Sequence, residues 1–203
     1  LASMSGAAQM LATGTLTPEK AERMASLVDK QARRVSELIE GYLSLSRSGK
    51  EFPSSRLSVN ELLMDSIESA MHGFAGGVSM EYHRSEEELF VSGNKMRLGQ
   101  VLWNLLRNSV EAMGNTSDPG ILVSTERNDS DGMVTITITD NGPGIPEDFV
   151  SRMWEPFQST KDTGTGLGLY LARRIVEEHN GTIEVSQRES GGAEFVIKLP
   201  GAV

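Results

Sequence analysis

The sequence predicts an α+β protein in two parts, an N-terminal antiparallel helical hairpin followed by a sandwich whose helices lie on one face of antiparallel strands. Three observations carry this. Apolar residues before residue 50 recur at helical spacing, interrupted by a single turn. The remainder alternates helical stretches with short β-branched runs. The composition, 38 % hydrophobic and 23 % charged over 203 residues, is that of a folded globular chain. At this length roughly 70 % of the unfolded surface can be buried, so a full core is within reach.

Leu1, Met4, Ala8 and Leu11 fall three and four apart and share one face of a first helix. The stretch from Thr13 to Thr17 reads as a break, with Thr17 as N-cap and Pro18 at the first helical position of the next helix. From there Met24, Gln31, Leu38 and Leu45 alternate with Val28, Val35 and Tyr42 in a heptad, which Leu27, Ile39 and Leu43 widen. Two helices with such wide apolar faces cannot bury them alone. The expectation is a homodimer in which two hairpins make a four-helix bundle; docking of the hairpin on the rest of its own chain is the alternative. The hairpin is assigned to residues 1–47, a Ser-, Gly- and Pro-rich linker to 48–57 and the second domain to 58–203. In that domain Ser58 and Glu61 form a capping box for a helix over 59–71. Strands are expected over 78–83 and 89–92, a helix over 95–113, and an antiparallel hairpin of 121–127 with 133–140. A helix over 167–179 and strands over 182–187 and 193–199 follow.

Several classes are excluded early. The absence of cysteine removes disulfides, zinc knuckles and thiol nucleophiles, and a net charge of −9 argues against a nucleic-acid surface, which relies on clustered Lys and Arg. No apolar run approaches the ~18 residues of a membrane span, so no membrane contact is expected of this chain. It begins at Leu1 with neither an initiator Met nor a signal peptide, and is read as a fragment of something longer.

Three segments carry chemistry. On the helix over 95–113, Asn104 and Asn108 are four apart and share a face, with Glu111 near them. Asp140-Asn141-Gly142-Pro143-Gly144-Ile145 follows a strand directly; its glycines allow close backbone approach to a ligand, and its carboxylate can accept a hydrogen bond from an amino group. Gly164-Thr165-Gly166-Leu167-Gly168-Leu169 precedes a helix whose free amides and dipole favour an anion. Each segment taken alone also fits a bland reading, as solvated surface, an ordinary turn or a common glycine loop.

Taken in order, with Trp154-Glu155-Pro156-Phe157 between the glycine segments, they resemble the N, G1, F and G2 boxes of sensor histidine kinases, a branch of the GHKL ATP-binding superfamily. The N-terminal hairpin resembles the dimerisation and phosphotransfer domain of those kinases. Phe157-Gln158-Ser159-Thr160-Lys161 and Glu178-His179-Asn180-Gly181 look most like the nitrogen-regulation type. The resemblance implies a GHKL α/β sandwich that binds ATP and Mg²⁺, with autophosphorylation of a His and transfer to a response regulator. It implies a cytoplasmic kinase core and leaves open whether the parent protein is membrane-anchored. By the same resemblance Asp140 binds the adenine amino group, with Gly142 and Gly144 shaping the pocket. Asn108 is the Mg²⁺ ligand, with Asn104 beside the phosphates. Gly164, Thr165, Gly166, Leu167 and Gly168 hold the phosphates. The stretch 146–163 is a mobile lid that Phe157 packs, and Lys161 either reaches phosphate or is a solvated loop lysine.

In the ATPases of the superfamily a Glu one turn before the metal-binding Asn activates water; Asn104 stands there, and an amide is no general base. The acceptor box of the family reads approximately His-Glu-x-Arg-Asn-Pro before an apolar segment like residues 1–7. None of the three histidines, His72, His83 and His179, lies in 1–47. The acceptor is therefore expected upstream of Leu1, and its catalytic neighbourhood with it. A GHKL ATPase or a protein serine kinase using the same domain are the alternatives; a degenerate dimer scaffold is a third.

Overall fold

The computed structural model describes residues 2–14, 16–46, 53–73, 77–161, 164–188 and 191–202. Helix α1 (Ala2–Ala12) and helix α2 (Pro18–Ser46) pack together as a hairpin. Ala21 N–H bonds Thr17 C=O at 2.9 Å, so the chain enters α2 at Thr17 with Pro18 inside the first turn. Met24, Leu27, Val28, Gln31 and Val35 are half-buried along one stripe, as the heptad predicts, and Ile39 is exposed. The side chains of Leu38, Tyr42, Leu43 and Leu45 lie outside the described residues. On α1 the inward residue is Ala7 with Leu11 one turn on, while Ala8 faces solvent, so the face is rotated by one position from the expected one.

Residues 55–57, expected within a linker, form strand β1 (Ser55–Ser58) together with Ser58, antiparallel to β3 (Phe90–Gly93) in a separate two-stranded sheet. The pairing partner lies more than thirty residues away, and the Arg56 guanidinium caps the Phe90 ring across the ladder, 3.3 Å from its centroid. Neither contact has a local signature. Residues 48–52 of the expected linker lie outside the described residues. Helix α3 (Val59–Gly73) starts at the expected place, but only half of the capping box forms. Glu61 N–H donates to Ser58 Oγ at 3.3 Å, and the Ser58 hydroxyl donates to Glu88 at 2.7 Å.

The main sheet has the order β2-β4-β5-β7-β6, from β2 (Ser79–His83), β4 (Gly120–Arg127), β5 (Met133–Asp140), β6 (Thr182–Gln187) and β7 (Ala193–Pro200). β4 and β5 form the expected antiparallel hairpin, yet β2 joins β4 in parallel, so the sheet is mixed. This is possible because α4 (Lys95–Ala112) lies between them in sequence and serves as the long crossover a parallel pair requires. Short α5 (Glu147–Val150) falls in the stretch expected to be a lid, and α6 (Gly168–Glu178) follows the glycine loop. One core of Leu, Ile, Val and Met side chains joins α3, α4 and α6 to the inner sheet face. The other face carries Ser124, Thr135, Thr137, Thr139 and Lys198, consistent with a two-layer sandwich.

Candidate functional site

The site is framed by α4, α6 and the C-terminal end of β5. Asp140, the last residue of β5, is 3 % exposed. Its Oδ1 accepts two backbone N–H bonds, from Gly142 at 3.0 Å and from Ala193 at 3.1 Å. The carboxylate is thereby held rigidly by one oxygen. Among the described residues its Oδ2 makes no hydrogen bond and so keeps acceptor capacity.

The backbone around it is tight. A Cβ on Gly142 would lie 3.0 Å from Asp140 Oδ1 and 3.2 Å from Met113 Cγ, which puts the end of α4 against this turn. Gly144 has φ +79°, open to glycine and costly to other residues, and Gln187 fills the space where its Cβ would stand. Asn141 braces the same turn: its Oδ1 accepts from Gly120 N–H at 2.9 Å and its Nδ2 donates to Asp118 C=O at 2.9 Å.

The middle of α4 meets the start of α6. Asn104 is 4 % exposed, and its Nδ2 donates to Gly168 C=O at 3.3 Å. Arg107 Nη2 stands 3.5 Å from where a Gly168 Cβ would be. Arg107 was not among the expected site residues; its spacing of three from Asn104, which puts both on one helix face, was the available signal. Asn108, one turn beyond Asn104, is half-buried and makes no side-chain hydrogen bond among the described residues.

Leu167 is fully buried at the N-cap of α6 and offers no side-chain cap. The first intrahelical bond runs from Leu171 N–H to Leu167 C=O at 2.8 Å, so the amides of Gly168, Leu169 and Tyr170 have no intrahelical acceptor. Thr165 Oγ1 accepts from Leu167 N–H at 3.4 Å. Gly166 has φ +67°, and a Cβ there would come within 2.4 Å of the Phe157 carbonyl carbon; Phe157 N–H bonds Gly166 C=O at 2.9 Å. Gly164 abuts Ser159 in the same way. The glycine loop is thus folded onto residues 157–161.

Two expectations for that stretch change. Phe157, expected to pack it, is 62 % exposed and adopts φ +67°, an uncommon conformation for a bulky residue. Lys161 is neither a free loop lysine nor aimed at the α6 amides; its Nζ pairs with Glu111 Oε2 at 2.5 Å, tying the loop to α4. Glu111 Oε1 also stands 3.8 Å from Arg107 Nε. Residues 162 and 163 of the expected lid lie outside the described residues.

Met113 at one end and Asn104 in the middle of α4 therefore mark the two halves of the site. Nine residues of helix separate them by about 14 Å. Among the described residues no cluster of three His, Cys, Asp or Glu could hold a metal, so a bound cation would need ligands from elsewhere.

Residues 93–203 match the family model described as histidine kinase-, DNA gyrase B-, and HSP90-like ATPase. The C4-dicarboxylate transport sensor protein DctB of Rhizobium meliloti (strain 1021) is 33 % identical over 184 residues, covering 90 % of this chain and 29 % of that protein. The chain spans between 29 % and 43 % of the length of the first curated relatives. The catalytic domain of histidine kinase ThkA superposes with a TM-score of 0.66 at 30 % identity, over 73 % of this chain and 96 % of that one. Histidine kinase ThkA in complex with response regulator protein TrrA shares the fold over 98 % of this chain and 57 % of that one, with a TM-score of 0.72 at 23 % identity.

Proposed function

Because the chain belongs to the histidine kinase-, DNA gyrase B- and HSP90-like ATPase family, as the catalytic core of a histidine kinase, we propose that it binds ATP across α4 for phosphoryl transfer to a histidine and onward to a response regulator. The observation that supports this most directly is the division of the site along α4. A rigidly held carboxylate stands against one end of α4 and a set of helix amides without intrahelical acceptors against its middle, points about 14 Å apart along α4, the scale of an adenine nucleotide. Asp140 Oδ2 accepts from the adenine amino group, beside Gly142 and Gly144. The amides after Leu167, with Gly164, Thr165 and Gly166, take the phosphates. Mg²⁺ is a hard ion satisfied by few protein oxygens plus phosphate and water. The amide oxygen of Asn108 fits that role, and the ion would neutralise the developing phosphate charge.

Asn104 supports transfer over hydrolysis. Its amide is already bonded to Gly168 and cannot take a proton from water. A GHKL ATPase is accordingly not favoured, and the N-terminal helical hairpin favours a histidine kinase over a serine kinase. We assign 1–47 to a hairpin that dimerises into a four-helix bundle and docks the response regulator, 48–57 to the connection, whose last three residues enter β1 against β3, and 58–203 to the ATP-binding domain. The Phe157 to Lys161 segment favours the nitrogen-regulation type. Lys161 is proposed to exchange Glu111 for phosphate when nucleotide binds.

Titration calorimetry tests the site. Asp140→Asn should weaken MgATP binding by about 1.5–3 kcal/mol, the range of a charge-assisted hydrogen bond. Unchanged affinity would contradict the assignment.

A further inference from the structure

We propose that His179 is a positioning residue that sets the register of α4 against α6, and through it the spacing of Asn104 and Asn108 from the phosphate-binding amides. The inference rests on the reading that α4 and α6 frame the phosphates.

His179 is the C-cap of α6 and is half-buried. Its ring faces two backbone groups of opposite character. Nδ1 lies 2.7 Å from Ile175 C=O, and Nε2 lies 3.1 Å from the N–H of Asn94. A carbonyl needs a donor and an amide needs an acceptor, so the ring is the neutral tautomer with its proton on Nδ1. Its lone Nε2 acceptor satisfies a backbone donor at the N-cap of α4.

Asn94 is well placed to transmit this. Its Oδ1 caps α4 by accepting from Arg97 N–H at 3.1 Å, and its C=O accepts the helix bond from Leu98 N–H at 3.0 Å. The position of Asn94 is therefore the position of the first turn of α4. Gly93 leaves room for the ring, since a Cβ there would stand 2.6 Å from His179 Cδ2 and 2.9 Å from Nε2. The ring itself is held in place by the end of α6. Gly181 N–H bonds Val176 C=O at 2.9 Å and Asn180 N–H bonds Glu177 C=O at 3.0 Å, a Schellman closure with Asn180 at φ +57°. Arg97 and Glu178 add an ion pair across the same junction.

The two helices are thus bonded at two levels. Asn94 to His179 joins the start of α4 to the end of α6, and Asn104 to Gly168 joins the middle of α4 to the start of α6. The separations match: ten residues along α4 span about 15 Å and eleven along α6 about 16 Å. With the outer bond cut, that end keeps apolar packing and the Arg97–Glu178 pair but loses the backbone tie that fixes the start of α4. The Asp140 carboxylate is held by the amides of Gly142 and Ala193, and its turn meets α4 at Met113, the end away from Asn94, so it is held independently of the two α4–α6 bonds.

That independence supplies the test. MgATP and adenosine are titrated calorimetrically into the full chain, as wild type, His179→Ala and His179→Gln. Adenosine reports the Asp140 half, and MgATP reports both halves. His179→Ala should weaken MgATP roughly 10-fold, the usual cost of losing a group that orients a metal ligand, and leave adenosine within about twofold. His179→Gln carries an amide oxygen that can accept from Asn94 and should recover most of the loss. Equal affinity changes for the two ligands, or none, would overturn the proposal. If His179→Ala fails to fold by circular dichroism, Gly93→Ala, which displaces the ring, is measured in its place with the same expectations. Absence of MgATP binding by the wild type would instead overturn the nucleotide reading.

Discussion

At the scale of single residues, Asp140 depends on a neighbour 53 positions away. Its Oδ1 is held from one side by its own turn and from the other by Ala193 N–H. Gly192 delivers that amide: it has φ +93°, and a Cβ on it would lie 1.9 Å from Asp140 C=O, so no other residue fits without moving β5 from β7. Gly192→Ala should therefore destabilise the domain by more than about 2 kcal/mol, well above a surface substitution, and lower nucleotide affinity in the protein that remains folded. Urea unfolding followed by circular dichroism measures the first effect, and wild-type stability in the variant would refute the account. The same pair marks what a sequence can disclose. Asp140, Gly142 and Gly144 are legible because their meaning lies in a short motif after a β-branched run. Gly192 and Ala193 are not, because a Gly pair before a strand signals only a turn, and its meeting with Asp140 exists only after β5 and β7 pair. Lys161 was ambiguous for a related reason, since Glu111, which it pairs with, is 50 residues away.

At the scale of elements, the long periodic helices were the most legible. α4 was expected over 95–113 and spans Lys95–Ala112; α6 was expected over 167–179 and spans Gly168–Glu178. Asn94, Met113 and Leu167 stand at their borders, where cap geometry and not periodicity decides. β1 was missed because four residues of strand earn their structure from a partner, and the parallel pairing of β2 with β4 was missed because strand direction is not encoded in alternation. α2 is the element whose pattern exceeds what the single chain buries. Its stripe through Leu27, Val28, Gln31 and Val35 is only half-buried. If a second copy completes it, Val28→Glu with Val35→Glu should leave the chain monomeric, because two carboxylates would be desolvated at the seam. Sedimentation equilibrium of wild type and variant checks this, and a wild-type chain that is monomeric at all concentrations would refute dimerisation through the hairpin. MgATP affinity should be unchanged in the variant, since the stripe is on another element from Asp140 and Asn108.

At the scale of the whole molecule, the question is where the phosphoryl group goes. The chain has three histidines, and the fold keeps the described rings from the end of α6 proposed to bind phosphate. His179 lies at the opposite end of that helix, about 16 Å from its first amides, with both ring nitrogens engaged. His83 ends β2 and pairs with Glu81 at 2.8 Å. In register it stands opposite Ser124, three residues and about 10 Å along the strand from Ile121, which stands opposite Asp140, and β2 is the sheet edge opposite β6, into which α6 runs. His72 is in the last turn of α3, and its side chain lies outside the described residues. In-line phosphoryl transfer needs the acceptor nitrogen in contact with the γ-phosphate, and neither described ring meets that condition within one chain. Incubated with MgATP labelled in the γ-phosphate, this chain should bind nucleotide by calorimetry yet acquire no acid-labile label, and release little inorganic phosphate because Asn104 supplies no base. Acid-labile label on the chain alone would show that one of these histidines is an acceptor. Rapid phosphate release without label would return the molecule to the ATPases. Binding without either outcome supports the proposed core, in which ATP is presented to a histidine other than these three.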